Sequence, residues 1–433
     1  MNVLVVGGGG REHALVRVLS ASSRIDSIVA APGNPGMAAE PKTHCVPVAV
    51  DDLDGLLQLA QAGKVDLTIV GPEGPLVAGL VDRFEAAGLT ILGPTAAAAA
   101  LEGSKIFAKE VMHAAGVPTA SAQVFESLDA ALAALRDWSD DAVVVKVDGL
   151  ASGKGVVVAT DKVTAEAALR DSFAGRFGSG GGRVLLERFL PGAEVSVIAL
   201  CDGTRALLMP PAQDHKRVGE GDLGPNTGGM GTYAPALVPG GPTADDLRRL
   251  VFEPVLAEMA RRGTPFRGFL FAGLMVGPAG WHVLEFNARL GDPETQVMLA
   301  LLAEDPVPAF VAAAGGALGA ASLNFRTDAH AACVVVAAAE YPGTPRRGDA
   351  IRLPPSPAAN VAILHAGTRR DADGVLRTDG GRVLGVTGVG PDLADALSRC
   401  YSTCGAIEVP GMHYRRDIGH RALGGRALGL PTA

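Results

Sequence analysis

Two lysines and a run of glycines, Lys146-Val147-Asp148-Gly149-Leu150-Ala151-Ser152-Gly153-Lys154-Gly155, stand between the β-branched runs Val143-Val144-Val145 and Val156-Val157-Val158. Glycines allow a strand-loop-strand flap to lie close over a polyphosphate, and the ammonium groups neutralise it. This is not a Walker A loop. One residue too few separates Gly149 from Gly153-Lys154, Gly155 replaces the Ser or Thr, and a strand rather than a helix is expected to follow. Lys146, inside an apolar strand, requires an anionic partner, either a phosphate or a protein carboxylate.

The stretch Glu285-Phe286-Asn287-Ala288-Arg289-Leu290-Gly291-Asp292 offers complementary chemistry. On a strand, Glu285 and Asn287 share a face and present two hard oxygen donors to one point. That donor set suits Mg²⁺ bridging nucleotide phosphates, since this ion keeps water or substrate oxygens for its remaining positions. Arg289 follows and could hold a carboxylate or phosphate bidentately. A polar strand end with a helix cap at Asp292 is the plainer alternative. Further along, Gln213-Asp214-His215-Lys216-Arg217 precedes an amide-rich loop, Gly224-Pro225-Asn226-Thr227-Gly228-Gly229-Met230-Gly231, which suits an anion or substrate. His215 reads as a positioning or solvent-exposed residue, because no second histidine lies near it in sequence.

These groups must be held by several units. Short apolar runs at residues 3–6, 25–31, 45–50, 67–70 and 90–92 alternate with helical stretches, which implies a parallel, doubly wound sheet. Its first turn, Gly7-Gly8-Gly9-Gly10-Arg11, is either a structural tight turn or an anion site at a helix N-terminus. It is not a dinucleotide fingerprint, since Glu12 stands where the third glycine belongs. An alanine-rich linker is expected at residues 94–102, and a helix opening at Ser104-Lys105 begins a new domain. Strands dominate residues 143–210, a helix covers about residues 244–262, and residues 175–182 read as a loop tip. Residues 183–194 read as a strand leading into a hinge-like turn. From about residue 328 the pattern is β-rich, with a helix near residues 393–403.

The chain has 433 residues, 38 basic against 46 acidic side chains, 48% apolar and 19% charged residues. Such a composition excludes a disordered chain, and the mild acidity argues against nucleic acid or an anionic membrane as the main partner. Five scattered cysteines without a CxxC pair point to a reduced, cytoplasmic protein, and neither a signal peptide nor a membrane span is visible.

Taken in order, Gly9-Gly10-Arg11-Glu12-His13-Ala14-Leu15, Ala31-Pro32-Gly33-Asn34, Gly71-Pro72-Glu73, Glu102-Gly103-Ser104-Lys105, the lysine hairpin, Gln213 to Arg217, Gly224 to Gly231, Glu285 to Glu294 and Arg416-Asp417-Ile418-Gly419 resemble the phosphoribosylamine-glycine ligase family of the ATP-grasp superfamily. The resemblance spans almost the whole chain. It implies a multidomain α/β and α+β fold: a pre-ATP-grasp N-domain (1–103), an ATP-grasp domain (104–327, lid about 119–192) and a small β-rich C-terminal domain (328–433). It also implies ATP-dependent ligation of glycine to 5-phosphoribosylamine through glycyl phosphate, an early step of purine synthesis, by a monomer needing Mg²⁺ or Mn²⁺. By the same resemblance Lys105, Lys146, Gly153, Lys154, Gly155, Glu187, Leu190 and Glu194 serve ATP, and Glu285 and Asn287 the metal. Gly9, Arg11, Glu73, Asp214, Lys216, Arg289 and Asp292 would serve the substrates, with Arg289 and Lys146 closest to the chemistry. The runner-up is another ATP-grasp carboxylate-amine ligase of nucleotide metabolism, and a non-catalytic nucleotide-binding regulator is the reading from a different class.

Overall fold

The computed structural model describes residues 1–150, 155–176 and 182–424, so Gly153, Lys154 and most of the expected loop tip at 175–182 lie outside the described residues. The N-terminal sheet is parallel, ordered Thr43–Cys45, Ser27–Pro32, Asn2–Gly7, Leu67–Val70, Ile91–Leu92. Helices cover both faces, which explains why the central strands are continuous apolar runs rather than alternating ones. The third strand is shorter than its apolar run suggested.

The stretch expected as an alanine-rich linker is instead mostly helix, Ala96–Gly103, capped by Thr95. Alanine is the strongest helix former, so the composition itself favours this helix over the expected linker. A second helix, Lys105–Ala114, follows after Ser104, whose Oγ accepts from Phe107 N at 3.1 Å.

The middle of the chain builds two antiparallel sheets. The larger runs Ala206–Leu208, Ala193–Asp202, Arg267–Gly277, Gly280–Asn287, and the smaller runs Ala122–Phe125, Val184–Arg188, Val143–Val147, Val156–Ala159. The smaller sheet has its own apolar core, formed with helices Leu128–Arg136 and Lys162–Phe173 through Leu135, Val145, Leu169 and Leu186. The third helix of this region spans residues 244–261 and includes a wide π turn at Arg248–Phe252.

The C-terminal β unit is not closed on itself. Its sheet runs Gln213–Asp214, Gly231–Ala234, His330–Ala337, Arg382–Gly390, Val361–His365, so two strands come from the middle of the chain. The helix Leu393–Cys404 packs on it.

Buried polar groups also tie this unit to the N-terminal one. Asn34 Nδ2 donates to Gly8 O and His365 O, each at 2.9 Å, and His365 N donates to His13 Nδ1 at 2.7 Å. Burial, with the neighbouring His13, pushes the His365 imidazole from 6.5 down to about 4. The unfolded chain therefore takes up this proton near pH 6.5 and the folded one only near pH 4. Between these limits the unfolded state binds more protons, so this contribution is complete above the upper limit and is lost as pH falls toward the lower one. Urea midpoints measured across that window are expected to fall with pH, and His365→Gln to flatten the slope.

Candidate active site

Glu285 and Asn287 lie two apart on the strand Gly280–Asn287, opposite Gly273 and Phe271. Gly273 matters here, because a Cβ at that position would stand 3.3 Å from Glu285 Cγ. Burial opposes the charge on Glu285, yet Lys216, Lys146, Lys105 and Arg289 hold its carboxyl below the ordinary glutamate value. Each of these cations makes its own direct bond elsewhere. Lys216 pairs with Glu194 at 2.5 Å, Lys146 with Glu187 at 2.7 Å and Arg289 Nη2 with Glu102 at 3.0 Å, while Lys105 donates to Gly149 O at 2.9 Å. Glu285 thus remains an ionised oxygen donor inside a ring of positive charge.

The partner required by Lys146 is a protein carboxylate, Glu187, on the neighbouring strand of the smaller sheet. Expected to serve ATP, Glu187 has its carboxylate held between Lys146 and Lys109, the latter at 2.9 Å. All three are buried, and Lys146 Nζ also donates to Leu284 O at 3.2 Å, next to Glu285. Asp148 anchors the start of the glycine-rich hairpin: it accepts from Ser104 Oγ at 2.9 Å and Ile106 N at 3.2 Å, and pairs with Arg183 at 2.7 Å. Leu190 lies in the turn between Val184–Arg188 and Ala193–Asp202, where the two sheets join, and this matches the expected hinge-like connection.

On the other side, Lys216 has its ammonium held above the ordinary value: burial opposes this, but Glu194 and Glu285 dominate. Asp214 moves the opposite way. Burial and the nearby Glu294 push its carboxyl well above the ordinary range, against the pull of Lys216 and Arg382. Between them His215 is fully buried, not solvent-exposed. Gly419 N donates to its Nε2 at 3.0 Å, so the other ring nitrogen carries the proton and donates to Gly231 O at 3.1 Å. This is a positioning role.

The N-terminal turn completes the site. Glu12 accepts from Gly9 N at 2.7 Å and from Arg11 Nε at 2.6 Å, and a Cβ on Gly71 would overlap its carboxylate. Arg11 reaches across to Leu290 O at 3.0 Å. A Cβ on Gly9 would stand 3.5 Å from Asp292 Oδ2, so turn and carboxylate face each other. Arg382, from the C-terminal unit, pairs with Asp292 at 3.3 Å and donates to Gly228 O at 2.6 Å. Arg289 is shared between Glu102 and Glu73, the latter at 3.2 Å.

Most of the expected residues within the described segments are therefore linked by ion pairs and close contacts where the three units meet, while Leu190 and Gly155 are placed only by their positions in the turn and hairpin. Sequence reasoning assigned no role to Lys109, Glu102, Glu294 or Arg382. Lys109 did carry a signal: it is one of only eight lysines in an arginine-rich chain and lies one helical turn beyond Lys105. Arg382 carried none, since only the fold brings it to Asp292. Among the described residues no three His, Cys, Asp or Glu side chains converge as a metal site, so an ion at Glu285 and Asn287 would draw its remaining ligands from substrate and water.

Comparison with known proteins agrees along the whole chain. Residues 1–102, 103–295 and 331–421 match the N, ATP-grasp (A) and C domains of phosphoribosylglycinamide synthetase. A phosphoribosylamine–glycine ligase of Phenylobacterium zucineum is 48% identical over 98% of this chain and 100% of its own length. The same enzyme from Xylella fastidiosa is 48% identical over 98% of each chain. The crystal structure of phosphoribosylamine–glycine ligase from Thermotoga maritima superposes with a TM-score of 0.85 at 33% identity, over 96% of this chain and 100% of that one. A biotin carboxylase domain from Hydrogenobacter thermophilus shares the fold alone, with a TM-score of 0.71 at 18% identity over 95% of this chain and 91% of that one.

Breaking the buried cluster should be costly. Glu187→Leu leaves two ammonium groups without a counter-charge and is expected to lower stability by about 3–5 kcal/mol, read by urea denaturation.

Proposed function

The chain belongs to the phosphoribosylglycinamide synthetase family, and from that membership we propose that it joins glycine to 5-phosphoribosylamine at the expense of ATP, giving glycinamide ribonucleotide, ADP and phosphate in purine synthesis. The observation that carries this reading is the ionised Glu285, without a direct ion pair among the described residues, within the field of Lys105, Lys146, Lys216 and Arg289. Such a site neutralises a polyphosphate while keeping an oxygen donor ready for its cation.

Glycine's carboxylate is a poor electrophile. The γ-phosphoryl group is therefore transferred to one of its oxygens, releasing ADP and leaving glycyl phosphate. The amine of phosphoribosylamine then attacks the carbonyl carbon; the amide forms as the C–O bond to phosphate breaks and the nitrogen loses a proton. No protein nucleophile is needed, so the chain's part is positioning and charge stabilisation.

Glu285 and Asn287 fit Mg²⁺ or Mn²⁺, which when bound would supply charge neutralisation to the phosphates. Lys105 and Lys146, with Gly153, Lys154 and Gly155 of the hairpin, hold the phosphates, while Leu190 and Glu194 flank the nucleoside at the joint between sheets. Arg289 takes the glycine carboxylate, for which Glu73 and Glu102 keep its guanidinium oriented. Gly9, Arg11, Glu73, Asp214, Lys216 and Asp292 surround phosphoribosylamine. The three domains are taken as 1–103, 104–327 and 328–433, working as a cytoplasmic monomer on dissolved small molecules; no helix among the described residues is long and apolar enough to cross a membrane.

The deciding assay is ADP release with Mg-ATP and glycine, with and without phosphoribosylamine formed in situ from ammonia and ribose 5-phosphate. ADP formation requiring both substrates, with glycinamide ribonucleotide as product, is expected; turnover with another acid or amine instead would move the assignment to a different ATP-grasp ligase. Chelation by EDTA should abolish turnover and added Mg²⁺ restore it, while Glu285→Gln is expected to lower kcat by about 100-fold or more.

A further inference from the structure

Lys109 has no part in the reaction described above, yet it is, with Lys146, one of two buried lysines among the described residues. It sits on the helix Lys105–Ala114, one turn beyond Lys105, and its ammonium is fully engaged. It donates to Glu187 Oε1 at 2.9 Å, Thr119 Oγ1 at 2.6 Å and Ala120 O at 3.0 Å. The other Glu187 oxygen pairs with Lys146 at 2.7 Å. Two ammonium groups on one carboxylate leave one positive charge uncompensated, and burial magnifies that imbalance. Without Lys109, Glu187 and Lys146 would form a neutral pair, and the Lys146 charge would be satisfied inside the protein.

We propose that Lys109 is a positioning residue for the nucleotide: by taking up the Glu187 charge, it keeps the Lys146 ammonium, held between Glu187 and Leu284 O, available to an ATP phosphate. The inference rests on the assignment of Lys146 to the ATP site. Lys109 itself spends its three donors on the Glu187 oxygen that Lys146 does not use, on Thr119 and on Ala120, so it acts through Glu187 rather than by contact with the phosphate.

The test is Mg-ATP binding by calorimetry to the full-length protein, with thermal melting to establish folding. Lys109→Met is expected to raise the Kd for Mg-ATP about tenfold, the size of one charged hydrogen-bonding interaction, while the KM for glycine stays within about twofold. Lys109→Arg, which restores a cation beside Glu187, should recover most of the affinity. Thr119→Val removes a Lys109 partner without touching Glu187 and should lower the melting temperature but leave ATP affinity unchanged. Should Lys109→Met not fold, Lys109→Gln is judged by the same criteria. Wild-type affinity in a folded charge-removing variant overturns the proposal, as does a loss in Thr119→Val equal to that in Lys109→Met, which would mark a general packing effect. Failure of the wild-type protein to bind Mg-ATP would instead overturn the nucleotide-site reading beneath it.

Discussion

Like charges brought together out of water repel one another, and the centre of this protein is organised around meeting that constraint. Lys105, Lys146, Lys216 and Arg289 all influence Glu285, and Lys109 adds a fifth cation one carboxylate away. Such a cluster persists only because each cation has a specific acceptor: Gly149 O, Glu187, Glu194, and the pair Glu73 and Glu102. The acceptors come from different strands and helices, so the arrangement exists only when those elements are assembled. What remains is a site whose charge favours a polyphosphate before any substrate arrives.

That requirement explains why the three units interlock rather than merely adjoin. The C-terminal sheet begins with Gln213–Asp214 and Gly231–Ala234, the strands flanking Lys216 and the amide-rich loop. Arg382 of the same sheet reaches Asp292, and Gly419 fixes His215. From the N-terminal unit, Arg11 caps Leu290 O while Glu73 shares Arg289. The smaller sheet, with its own apolar core, is joined to the rest at the turn containing Leu190 and through Asp148 and Glu187. Nucleotide, amino acid and sugar phosphate chemistry can thus meet where no single unit carries a complete site.

Much of this was legible before folding. Apolar runs separated by helical stretches announced the parallel sheet, and the two-residue spacing of Glu285 and Asn287 was enough to put both donors on one strand face. The burial cost of Lys146 correctly demanded an anion, but the choice between phosphate and protein carboxylate could not be made from the strand alone. The alanine-rich residues before Ser104 read as a linker between domains, yet they form a helix that buries Ala98, Ala99 and Leu101, as alanine's helix propensity favours. For His215 the sequence left a positioning and a solvent-exposed residue both open, since its partners Gly231 and Gly419 are backbone groups, which no side-chain pattern reveals.

The sequence by itself therefore determined the reacting chemistry, because residue type and short-range spacing settle which groups are oxygen donors, cations and flexible turns, and because the ordered motifs identify the family. Tertiary structure alone decided the pairing. Whether Lys146 meets Glu187, whether Lys109 shares that carboxylate, and whether Arg382 reaches Asp292 depend on contacts between residues tens of positions apart. Electrostatic energy in a low-dielectric interior depends on distance and burial, and neither is a property of sequence order.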